Sequence, residues 1–161
     1  MMGADVVATV EGIFGSLFRS FVRYIVEAAG PTARTEWDRR AIDLFHSWYG
    51  DSREVLAEIE ALLHREKAHP DPPMWPLEYS QYNFLSGSYL LGPACEKMAL
   101  LVDELEEDAG GLGVWPEAEE LVARAIQVED GHLRKAQALL SQLPHEAPRP
   151  AVKKGVSANF W

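Results

Sequence analysis

A single cysteine, Cys95, in 161 residues rules out an internal disulfide. A chain without disulfides fits a reducing compartment, and a cytoplasmic location is expected. Cationic side chains are also scarce, with 15 Lys and Arg against 25 Asp and Glu and a formal net charge of −10. No basic face is left to neutralise phosphates, so nucleic acid is not expected as a partner, and anionic membrane surfaces are disfavoured for the same reason. Long uncharged apolar runs are missing too. Residues 6–18 are mostly apolar, but Glu11, Arg19 and Arg23 interrupt the stretch of about 20 residues that a membrane-spanning helix needs. That segment also lacks the basic start and small-residue cleavage site of a secretion signal. There is no Gly-rich phosphate loop, Ser-centred elbow or dinucleotide fingerprint. No strand-type alternation is long enough to compete with helical spacing.

What is present is helical amphipathicity. A composition of 47% hydrophobic and 25% charged residues is that of an ordinary globular domain with enough apolar side chains for one core. Val7, Val10, Phe14, Leu17, Phe18, Phe21 and Ile25 form one stripe, predicting a first helix from about Asp5 to Ala29 stopped by Gly30-Pro31. Thr35 with Asp38 has the spacing of a helix-start box. The second helix then runs to about Lys67, either broken near Gly50 or continuous but weakened there. Residues 69–76 (HPDPPMWP) are a connector that cannot be helical. A third helix is expected from Leu77 to about Asp108, kinked at Pro93. The fourth starts at Pro116 behind a run of glutamates and stops at Leu143-Pro144. The expected architecture is all-α, a four-helix bundle over residues 1–143, with a proline-rich tail over 144–161. The short connector favours simple up-and-down order, because eight extended residues reach only about 27 Å, while helices frayed by a turn or two on each side would permit a long crossover.

The fourth helix holds the one departure from pattern. At about 100° per residue, Glu129 and His132 fall on its apolar face between Ala125 and Ala136. Buried alone, a carboxylate and an imidazole are costly, so both need partners. A Glu and a His three apart can grip one metal ion together. On Glu129-x-x-His132 the chain resembles the ferritin-like superfamily of four-helix bundles, whose members often bind two iron or manganese ions. The resemblance implies a second Glu-x-x-His on the second helix and one Glu on each of the other two. The matching positions are Glu11 on the first helix, Asp51 on the second and Glu96 on the third, the last turned inward only by a kink at Pro93. Asp43-x-x-His46 has the right form but faces solvent in a straight helix. The bottom-up alternative is a Glu–His pair that hydrogen-bonds within the core and fixes which helices pack together.

Other signals are weaker. His46 and His64 read as surface residues, His69 and His145 as loop residues, and Cys95 as a small core filler. Trp75, Tyr79, Tyr82, Phe84 and Tyr89 read as the connector packing over the core, or as a pocket lining. The tail, with its prolines, two lysines and Phe160-Trp161, has the composition of a docking peptide for a protein partner, and it could equally fold back over exposed apolar surface of its own bundle or of a second copy of this chain. Two functional readings follow. One is a ferritin-like bundle with a partial or complete carboxylate–histidine site for iron or manganese. The other is a non-catalytic interaction or scaffold protein acting as an oligomer.

Overall fold

The computed structural model describes residues 2–71 and 73–144. Most of the expected tail, residues 145–161, lies outside the described residues. The described chain is all-helical, and its only β-type pairing is one isolated bridge between Thr32 and Ser86. Its long elements are α1 (Ala4–Phe18), α3 (Glu36–Arg65), α4 (Gly87–Ala109) and α5 (Pro116–Gln142). Between α1 and α3 come a single turn, α2 (Phe21–Tyr24), and a π-helical turn (Ile25–Ala29), while a 3₁₀ segment (Leu77–Tyr82) precedes α4. No described helix is long and apolar enough to cross a membrane.

Two expectations are corrected and one open alternative is decided. The first helix is not continuous to Ala29. Ser20 is extended (φ −61°, ψ 153°), and its hydroxyl accepts the amide of Arg23, so it ends α1 and caps α2. Of the two forms open to the second helix, broken near Gly50 or continuous but weakened there, the continuous one is found. Trp48, Val55, Leu56 and Ile59 are buried on both sides of Gly50, and that packing outweighs the roughly 1 kcal/mol cost of a glycine inside a helix. The third long helix begins at Gly87 and not at Leu77. Phe84 and Leu85 make their backbone bonds elsewhere, to Ala29 and Thr32, and Ser86 then caps α4 through the amide of Tyr89. Phe84, expected inside, is 75% exposed on a left-handed backbone (φ 62°).

The later start of α4 changes the connectivity. Asp38, in the first turn of α3, binds the amide and hydroxyl of Ser88, in the first turn of α4. These two helices therefore begin at the same end and run parallel. α5 runs antiparallel to α3, with Glu117 paired to Arg65, Arg124 to Glu58, and His132 to Asp51. α1 is antiparallel to α3 as well, since the amide of Met2 meets Glu66 while Ala29 lies at the start of α4. The expected up-and-down order is replaced by a crossover. A 30-residue α3 is about 45 Å long, and residues 66–86, not 69–76, return along it with length to spare. The crossover is pinned by aromatic contacts, Tyr79 and Tyr82 each edge-on to Phe21 and Trp75 edge-on to Tyr24. The ammonium of Lys97 lies 5.4–5.6 Å from the centres of the Phe21, Tyr79 and Tyr82 rings.

The parallel start leaves no room at Gly87. A Cβ there would lie 2.6 Å from the carbonyl oxygen of Asp38 and 2.8 Å from Ile42 Cγ1. Gly87→Ala is expected to lower the free energy of unfolding by about 2 kcal/mol, since backbone cannot yield as a side chain can. Urea denaturation checks it.

Candidate functional site

The helical periodicity of α3 and α5 presses two short polar motifs together inside an otherwise apolar interface. On α3, Phe45, Trp48 and Val55 face inward, with Asp51 and Ser52 beside them on the turn after Trp48. On α5, the small residues Ala125 and Ala136 are buried one turn before Glu129 and one turn after His132, which leaves width for the Trp48 indole. The result is two residues three apart on α3, Trp48 and Asp51, opposite two residues three apart on α5.

Each member has a partner. Glu129 is 1% exposed. The Trp48 indole Nε1–H donates to its Oε2 at 2.5 Å, and the Ser52 hydroxyl donates to its Oε1 at 2.6 Å. His132 is 5% exposed. Its ring stacks on the Trp48 indole, with centroids 5.8 Å apart and planes 14° from parallel, and its Nε2 lies 2.7 Å from Asp51 Oδ2. The Asp51 side chain is itself 57% exposed. The cluster thus runs from the core, at Glu129, to solvent, at Asp51. A cleft with a volume of about 10 Å³, lined by Ser20, Arg23, Tyr49 and Arg53, reaches Glu129 from the α2 side, which is room for one water-sized molecule.

Burial raises the Glu129 carboxyl above its ordinary range, the bonds from Ser52 and Trp48 pull it back, and the balance leaves it raised, at about 6. One polar atom of this cluster remains without a partner. Nδ1 of His132 is buried and makes no hydrogen bond.

Of the five residues singled out as metal ligands, the structure brings together Glu129, His132 and Asp51. It does not add Glu11 or Glu96. Glu96 is exposed on α4, Glu11 is half-buried on α1, and neither hydrogen-bonds to the cluster. Among the described residues no group of three or more His, Cys, Asp and Glu side chains is arranged to hold a metal ion. Both Glu129 oxygens already accept bonds from N–H or O–H donors, and a donor beside the carboxylate occupies the space a cation would take. The residues gathered here do not fit a dinuclear iron or manganese centre. Trp48 and Ser52 are the members sequence reasoning missed. The signal available was the spacing itself, since Trp48 and Asp51 repeat on α3 the interval of Glu129 and His132 on α5.

The remaining sequence candidates are accounted for individually. Asp43, His46 and His64 are exposed, and His64 tilts against His69 at 5.1 Å. Cys95 is buried, and burial raises its thiol, which disfavours the nucleophilic thiolate. No protein-family model matches the chain, and no curated protein or solved structure matches it either.

Proposed function

We propose that this chain is a ferritin-like four-helix bundle in which the carboxylate–histidine position of the core is a hydrogen-bonded lock between α3 and α5, and that it acts through its surfaces as a non-catalytic interaction module. One observation carries the reading: Trp48 and Ser52 engage both oxygens of Glu129. A carboxylate supplied with two donors in a buried helix interface is a structural group, and a cross-helix pairing of this kind fixes register. The crossover between the parallel helices α3 and α4 supports the bundle family, because ferritin-like bundles use one long crossover connection. The acidic surface, with a net charge of −10, makes a basic face of another protein the natural partner of such a module.

A second reading keeps iron or manganese at Glu129 and His132. It is favoured by the unpartnered Nδ1 of His132, an atom that a bound group would satisfy. Elemental analysis of protein purified without chelators separates the two. The lock predicts no stoichiometric iron, manganese or zinc, and a Glu129→Ala/His132→Ala variant that is less stable but unchanged in metal content. Stoichiometric metal lost on those substitutions contradicts the lock.

A further inference from the structure

The crossover carries an apolar hollow of about 440 Å³, lined by Tyr24, Pro73, Met74, Trp75, Pro76 and Leu77. Its rim is unusual for a surface so close to the core, with Met74 86% and Leu77 85% exposed. Rings form its wall, Trp75 standing edge-on to Tyr24 at 5.4 Å. A hollow of this size and character is in the range that takes an apolar ligand, and contiguous exposed apolar surface of this kind marks an interaction site.

We propose that the occupant is this chain's own segment 144–161, with Phe160 and Trp161 seated in the hollow. Three properties favour it. Its side chains match, since the segment supplies two large aromatics and three prolines to a wall of aromatic and proline rings. Its charge matches, with Arg149, Lys153 and Lys154 against Glu146 in a chain of net charge −10, and with Asp71 and Glu78 exposed on either side of the lining residues. Its reach is sufficient. α5 ends at Gln142, at the same end as the starts of α3 and α4, and Tyr24 lies less than two turns from that end. Seventeen residues extend up to about 55 Å, enough to cross from α5 to the face that carries the crossover. This inference rests on the surface alone and holds whether the core cluster is a lock or a metal site.

The test uses the full chain with 5-fluorotryptophan, the Trp161 fluorine signal being assigned from Trp161→Phe, and a soluble gadolinium chelate as the probe of exposure. A short tether gives an effective concentration of about 1 mM, so a contact with an intrinsic Kd of about 0.1 mM fills the hollow about nine-tenths of the time. The Trp161 signal is then broadened about tenfold less than that of a free tryptophan analogue. Met74→Ser/Leu77→Ser, at two exposed positions where folding is not at stake, restores full broadening, and the protection is independent of protein concentration. Full broadening in the unsubstituted chain overturns the proposal. So does protection that survives the double substitution, and so does protection that appears only as concentration rises, which assigns the hollow to a second copy.

Discussion

Replacing Trp48 by phenylalanine is expected to lower the free energy of unfolding by about 3 kcal/mol. The substitution keeps an aromatic ring against His132 and removes the indole N–H that binds Glu129 Oε2. A hydrogen bond to a buried charged group contributes about 1.5–3 kcal/mol. The smaller ring leaves a gap worth about 1 kcal/mol more. With Ser52 as the only donor left, burial is less opposed and the Glu129 carboxyl rises further. The loss is therefore larger at pH 8 than at pH 5. Chemical denaturation at the two pH values checks both the size and the direction. An equal, small loss at both would mean that the indole is only a filler.

The second large effect belongs to Asp38. Only 2% exposed, it closes the capping box of α3 with Thr35 and also accepts the backbone amide of Arg34 and both the amide and the hydroxyl of Ser88. Burial alone would raise its carboxyl. The bonds from Ser88, Arg34 and Thr35 outweigh that and hold it well below the usual carboxylate range. One side chain thus caps α3 and ties it to the start of α4, the contact on which the crossover depends. Asp38→Ala removes the cap, worth about 1 kcal/mol, and leaves several buried donors unpaired at about 1–3 kcal/mol each before relaxation. A total of about 4 kcal/mol is expected, among the larger single-residue effects. Because the folded carboxyl is lowered, its stabilisation is present above the unfolded pKa of about 4 and is lost as pH falls below it. The difference between the two proteins should therefore shrink in acid.

Much of this is legible in the sequence. The spacing of Ala118, Val122, Ala125 and Ala136 turns Glu129 and His132 inward, and Thr35 with Asp38 marks the start of α3. Those signals are local, and local physics governs them. The start of α4 is different. Residues 77–86 carry enough apolar side chains to continue a helical stripe, but Phe84 and Leu85 bond to Ala29 and Thr32, residues far away in sequence. No periodicity encodes such a partner. With that boundary goes the connector length, and with the connector length goes the choice between up-and-down order and a crossover. Trp48 was hidden for another reason. On an apolar stripe an indole reads as core, and its N–H becomes informative only when the residue across from it is known. Glu11 and Glu96 entered through resemblance alone, and nothing in their own helix positions drew them to the cluster.

The claim that Glu129 is a hydrogen-bonded carboxyl in a buried helix interface is tested most directly by the unfolding free energy of the protein and of Glu129→Gln measured side by side across pH. In the folded chain Glu129 is raised to about 6 from an ordinary value of 4.5. Its contribution is thus fully present below about 4.5 and lost as pH rises through about 6. Stability relative to the glutamine variant should fall by about 2 kcal/mol between pH 4 and pH 7.5. Metal ligation would require the ionised carboxylate and release its proton. A difference that grows with rising pH would contradict the lock.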